Sequence, residues 1–329
     1  MNTDTNAAKP EANAPPPFPA VTVAICTRNR ARFLERAAES VLRQMAHADD
    51  ELLIVDNGST DETPQISARL AAAHAQVKVW REEELGLSAA RNAALKRARG
   101  RFVLFLDDDA TAEPGWLAAY QKFLSTPPSE RIAVVGGAVL PDFEVPPPEW
   151  ANPRAGFNLG DSPKRLPYRD SPWGGNSAYR REAALAAGLF DTRLGRKGQE
   201  MMSREESDLN LRLQDAGYEI WWLPGAGILH FIPASRLNFR AAMRSWFAEG
   251  RSIAIQRWKS RPAGWGRGSY LAARLLTGPF HALVHLLAAL GLLPFSRSRS
   301  IGHFFQACRN CGFASQLVLE SVHGAKPRK

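Results

Sequence analysis

Short apolar, β-branched runs alternate with segments of helical spacing along the first third of this chain, and that alternation limits its architecture more than any other feature. Val21–Thr27 (VTVAICT) is bounded by a Pro-rich stretch and a polar turn and reads as a buried strand, with helical spacing over residues 31–44 behind it. Glu51–Asp56 (ELLIVD) is a second strand. It ends in NGSTDE, a turn in which Ser59, Thr60 or Asp61 can cap the next helix. A third strand covers 77–80, an Ala-rich helix covers 88–99 and stops at Gly100, and Phe102–Leu106 (FVLFL) is a fourth strand. Repeated strand-helix units of this kind assemble into an α/β fold with a mostly parallel central sheet flanked by helices.

The pattern continues with a helix opening near Pro114 and a strand over 132–139. Prolines and glycines then interrupt every periodicity from 141 to 172, a length that compact domains reserve for lids and substrate loops. Helices are expected near 180–188 and over 204–216, the latter closed by Gly217 and followed by the strand-like YEIWWL. Beyond His230 the composition changes. Residues 236–329 carry 15 Lys and Arg against 2 acids, a net of +13, which leaves −4 on the first 235 residues of a chain whose total is +9.

Three organisational expectations follow: a disordered leader over 1–20, an α/β domain over 21–235 and a helical, basic extension over 236–329. The leader lacks a charged stretch followed by an apolar one, so no export signal is read there. Cys26, Cys308 and Cys311 are too few and too scattered for a disulfide framework, which suits a reducing cytoplasm. Within the extension, residues 271–295 are apolar but broken by Arg274, Pro279, His281 and His285, so an in-plane interfacial helix or hairpin is favoured over a membrane span. A buried helical subdomain is the alternative. Lipid is a better partner for this segment than nucleic acid, because basic and aromatic residues are not interleaved as on a base-stacking platform.

Asp107, Asp108 and Asp109 follow FVLFL directly, at the carboxyl edge of the sheet where open α/β folds bind ligands. Three adjacent carboxylates repel one another, and a hard divalent cation such as Mg²⁺ or Mn²⁺ would compensate them; a solvated acidic turn is the competing reading. Asp56 ends the second strand at the same edge and suits a nucleotide contact or an Asx turn. Arg91 can face a diphosphate. The first strand ends in CTRNR rather than a G-x-G-x-x-G turn, which argues against dinucleotide binding. Ser203 and Glu206 have capping-box spacing, yet Glu206 or Asp208 at a helix start can also act as a general base. His230 is either a metal ligand or a satisfied core histidine.

Taken in order, VTVAICTRNR, ELLIVDNGSTDET, LGLSAARNAALKRARGRFVLFLDDDATAEPGWL, WGGNSAYRREAALAAGLFD and EESDLNLRLQDAGYEIWWLPGAGILH resemble the family 2 glycosyltransferases of the GT-A fold. The resemblance implies a metal-dependent, inverting transfer of a sugar from a nucleotide-diphospho-sugar to an acceptor hydroxyl, in envelope or surface polysaccharide assembly. The basic extension points to a glycan or lipid-linked acceptor at the inner, cytoplasmic face of the cell membrane. Thr27, Arg28, Asp56, Arg91, Asp107 and Asp108 would bind the donor, and Asp107, Asp109 and His230 the Mg²⁺ or Mn²⁺. Trp173, Gly174, Gly175 and Asn176 would form the acceptor loop. Glu206 stands where the family has its base aspartate, with Asp208 the other candidate. A sugar nucleotidylyltransferase would want a Gly-rich phosphate loop that CTRNR does not supply; an inactive membrane-binding scaffold is opposed by the intact carboxylates.

Overall fold

A computed structural model describes residues 21–323 apart from 48, 155, 199, 261–264, 293 and 295; the expected leader over 1–20 lies outside the described residues. The chain runs β1 (Val21–Thr27), α1 (Ala31–Leu42), β2 (Glu51–Asp56), α2 (Thr63–Ala73), β3 (Val77–Arg81), α3 (Leu87–Arg97) and β4 (Phe102–Leu106). It continues through β5 (Ala110–Ala112), α4 (Trp116–Ser125), β6 (Ile132–Phe143), β7 (Lys164–Arg165), β8 (Asn176–Arg180), α5 (Arg181–Ala186), α6 (Glu205–Asp215) and β9 (Glu219–Ile232). The strands form one sheet in the order β3-β2-β1-β4-β8-β6-β9-β5, with β7 also on β9.

The first four strands are parallel, as the alternation predicts. Beyond β4 the sheet is mixed, because β8 runs antiparallel to both β4 and β6. Alternation along each central strand builds two cores. Val23 and Ile25 of β1 and Leu104 and Leu106 of β4 face α1, α2 and α4, where Trp116 and Tyr120 are fully buried. Ala24, Val103 and Phe105 face α3, α5 and α6, packing with Leu95, Leu209 and Trp222. Each such fully buried aliphatic or aromatic side chain contributes about 1.5–3 kcal/mol, so both faces of the sheet that carries the site are anchored by burial.

Three strands escape a reading by hydrophobic pattern. β5 is three residues long, β7 is two charged residues, and β8 (NSAYR) is polar in composition although four of its five residues are buried. The capping box expected at Ser203 and Glu206 does not form: Arg204, at φ +70°, is the residue before α6, and the Ser203 backbone N–H donates to Ser252 Oγ at 3.0 Å. The stretch over 141–172 is also less irregular than its prolines suggest, since β6 runs on to Phe143 and β7 lies within it.

The extension consists of α7 (Phe239–Lys259), α8 (Trp265–Leu292) and α9 (Arg297–His323). Asn238 caps α7 by accepting the Ala241 N–H at 2.9 Å. Gly250 of α7 and Gly312 of α9 let the two backbones touch: a Cβ on Gly250 would lie 1.9 Å from Arg309 O, and one on Gly312 2.0 Å from Phe247 O. Pro279 does not break α8, which packs along α9. The buried-subdomain alternative is not what α8 adopts. Gly266–Leu292 is long and apolar enough to cross a membrane, and only 11% of its apolar window is buried.

Candidate active site

The carboxyl ends of β1 and β4, the start of α6 and the end of β9 surround a cavity of about 700 Å³. Asp107, Asp108 and Asp109 leave β4 on its floor. Backbone pairing decides their company: β5 pairs antiparallel with β9 so that Ala110 stands opposite His230, and the Phe231 N–H donates to Asp109 O at 2.9 Å. One ligand atom from each of Asp107, Asp109 and His230 lies within 4.8 Å of the others. His230 Nε2 is 3.3 Å from Asp109 Oδ1, while its buried Nδ1 has no hydrogen-bond partner among the described residues. Two carboxylates and an imidazole fit a cation of the Mg²⁺ or Mn²⁺ kind, and the buried His230 ring nitrogen without a hydrogen-bond partner among the described residues is consistent with such a ligand set.

The aspartates are not a solvated turn. Asp109 is only 7% exposed. Burial opposes its ionisation, but the His230 hydrogen bond and charge, with Arg236 and Arg30, outweigh burial and hold it at about 2. Asp108 goes the other way, pushed up to about 7 by burial and by the neighbouring Asp109. Of the coupled pair Asp108 and Asp109, the permanent charge therefore sits on Asp109.

Arg91, 3% exposed, crosses beneath the cavity from α3, donating to Glu205 Oε1 at 2.7 Å and to Asp107 Oδ1 at 3.2 Å. Burial works against its charge, but Glu205, then Asp107 and Glu206, raise its pKa above the usual guanidinium value. Glu206 is half-buried and lines the cavity; burial, and then repulsion from Glu205, push its carboxyl up to about 8. Cys26 also lines the cavity, with its thiol pushed up to about 12 by burial, so it stays protonated and inert.

Trp173 and Gly174 form part of the wall, Trp173 with its ring 5.4 Å from that of His230. Gly175 is required by close approach, since a Cβ there would lie 2.0 Å from Asp107 Oδ2. Asn176 lies underneath, fully buried. Its amide donates to Ala138 O and Ala226 O and accepts from Trp116 Nε1 and Tyr120 OH, which ties β8 to β6, β9 and α4. Thr27 and Arg28 line the cavity. Asp56 and Asp208 do not: Asp56 accepts the Ser59 N–H at 3.0 Å and pairs with Arg81 at 3.5 Å, and Asp208 pairs with Arg212 and Lys259, each at 3.0 Å.

Four contributors were not legible in the sequence. Glu205 hides in the apparent capping box, although the run EESD contains it. Arg30 approaches Asp109 at 3.8 Å and Arg236 at 3.3 Å, and Arg196 completes a cationic arc on the cavity wall. Arg196 and Arg236 come from irregular segments with no periodic signal.

The arrangement agrees with what the chain is similar to. The glucosyl-dolichyl phosphate glucuronosyltransferase of Haloferax volcanii is 26% identical over 71% of this chain and 76% of its own length. The pre-mycofactocin glycosyltransferase of Mycobacterium tuberculosis is 30% identical over 74% of this chain, which spans only 48% of that relative. In fold, the mannosyltransferase PcManGT of Pyrobaculum calidifontis, solved with GDP-Man and Mn²⁺, aligns with a TM-score of 0.60 at 20% identity over 97% of this chain and 92% of its own. The model of glycosyl transferase family 2 matches residues 22–186, half of the chain, so this protein is a glycosyltransferase with a GT-A-like fold and belongs to that family.

Proposed function

We propose that the enzyme transfers a sugar from a nucleotide-diphospho-sugar to an acceptor hydroxyl with inversion, and that Glu206 is the base. The observation that carries this reading is the placement of Glu206 on the same cavity as Asp107, Asp109 and His230, with a carboxyl raised to about 8 by burial and therefore basic enough to take a proton. Glu206 removes the proton from the acceptor oxygen as that oxygen bonds to the anomeric carbon. The bond from that carbon to the diphosphate breaks on the opposite face, its electron pair leaving with the diphosphate. Asp208 is engaged with Arg212 and Lys259 and orients α6 rather than receiving the proton.

Asp107, Asp109 and His230 would hold Mg²⁺ or Mn²⁺, which when bound neutralises charge on the leaving diphosphate. Arg28, Arg30, Arg196 and Arg236 lie where they can grip the same phosphates, and Thr27 is set beside them. Asp56 supports the donor pocket through the turn it braces at Ser59. Trp173 and Gly174 face the acceptor, with Gly175 and Asn176 fixing their backbone.

The acceptor we favour is a glycan or lipid-linked molecule of surface polysaccharide assembly, met at the inner face of the cell membrane. The exposed apolar face of α8 and a relative whose name carries a dolichyl phosphate support this. The test is nucleoside diphosphate release from a panel of UDP-, GDP- and dTDP-sugars with Mn²⁺ or Mg²⁺, with and without EDTA, alongside D109A and E206Q. Metal-dependent release from one donor, lost in both variants, is the expected result. Release unaffected by EDTA and by D109A would overturn the site.

A further inference from the structure

A second cavity of about 310 Å³ is lined by α7, α8, α9 and Arg204, the residue that precedes α6. Four guanidinium groups line it, from Arg204, Arg257, Arg274 and Arg309, against one carboxylate, Glu249. Arg204 is partly compensated, at 4.0 Å from Glu249 and donating to Gln256 Oε1 at 3.1 Å. Three of the four lie over rings: Arg257 over Phe313 at 5.8 Å, Arg274 over Tyr270 at 5.5 Å and Arg309 over Trp246 at 5.6 Å. Among the described residues four cations and one acid line this concavity, an excess of positive charge that suits a multiply charged anion, and planar guanidiniums match phosphate oxygens.

The position of α8 identifies the source of that anion. Leu276, Phe280, Leu283, Leu287 and Leu290 recur at intervals of four and three and are 78%, 63%, 52%, 58% and 62% exposed, forming one bare stripe along the helix. Arg274 and His281, which line the cavity, lie on the opposite side of α8 at the helical angle of about 100° per residue. An amphipathic helix of this kind rests in a bilayer with its apolar face about 5–10 Å into the headgroup boundary. With a helix diameter of about 10–12 Å, the opposite side stands level with lipid phosphates.

We infer that the cavity between α7, α8 and α9 binds the phosphate headgroup of a membrane lipid. The inference rests on the membrane contact proposed above and adds a headgroup site to it; it is independent of the assignment of the base and the metal ligands. The site adjoins catalysis, because Arg204 is followed directly by Glu205 and Glu206.

The test measures binding of the full chain to phosphatidylcholine vesicles that contain phosphatidic acid, against vesicles of equal charge made with phosphatidylglycerol. Tighter binding to phosphatidic acid is expected, and R257Q/R274Q lowers that affinity about tenfold or more, at roughly 1 kcal/mol per guanidinium. R240Q/R244Q, which removes two exposed cations of α7 outside the cavity, leaves it within about threefold. Equal losses in both double variants would mean general charge attraction and overturn the site. L276E/F280E separates the two readings: vesicle binding lost there but intact in R257Q/R274Q keeps the membrane contact and removes the headgroup site. Inorganic diphosphate supplies the last arm. Thermal protection by diphosphate that is lost in R257Q/R274Q, with no vesicle binding at all, would assign the cavity to a soluble anion and overturn the lipid proposal; protection that survives in R257Q/R274Q belongs to the active site.

Discussion

Replacing Arg91 by methionine tests the electrostatic frame under the active site. The guanidinium is buried, bonded to Glu205 and Asp107, and lies 5.6 Å and 5.8 Å from the ring centroids of Phe105 and Phe190. Methionine keeps most of the apolar contact but leaves the carboxylates of Glu205 and Asp107 without their cation and Glu206 closer to uncompensated. Breaking a buried pair from one side costs about 3–5 kcal/mol. At roughly 2 °C per kcal/mol for a protein of this size, the melting temperature should fall by about 6 °C or more. Urea unfolding followed by tryptophan fluorescence at pH 7.5 measures the loss. Adding E205Q removes the stranded charge, and a coupling of about 1–3 kcal/mol is expected in the R91M/E205Q cycle. A loss under about 1 kcal/mol at pH 7.5, or no coupling with E205Q, would refute the reasoning.

E206Q should lower transfer about 10²–10⁴-fold. Because the folded pKa of Glu206 lies above its unfolded value, wild-type stability declines as pH rises from about 4.5 to about 8, and E206Q should gain on it across that window in thermal melts. D208N should keep turnover within roughly tenfold while lowering the melting temperature, since it loses Arg212 and Lys259 rather than the acceptor proton; a collapse of turnover equal to that of E206Q would reassign the base. H230A should weaken Mn²⁺ binding by roughly 10–100-fold, read by electron paramagnetic resonance of the free ion, without loss of fold. G250V should displace α9 from α7 at a cost of about 1–3 kcal/mol or more, seen as faster hydrogen exchange in α9 with the β1 to β4 amides unchanged.

The sequence by itself determined the parallel half of the sheet, because strands buried on both faces must be continuous apolar runs, and VTVAICT, ELLIVD and FVLFL are such runs. It also placed Asp107–109 at the carboxyl edge, since a charged triplet after a buried strand can lie nowhere else. β8 remained illegible: its burial comes from the neighbours β4 and β6, and Asn176, polar in composition, is a buried staple with its amide satisfied on every side. The role of His230 likewise depends on the pairing of β5 with β9, a register that no local pattern encodes. The proposal of Glu206 over Asp208 as the base rests on which face of α6 meets the cavity and which meets Lys259 of the extension, 51 residues from Asp208 in the chain. Local periodicity fixes which residues are buried and where a strand ends. Long-range pairing decides which charges meet, because electrostatics acts through distances that only the folded chain creates.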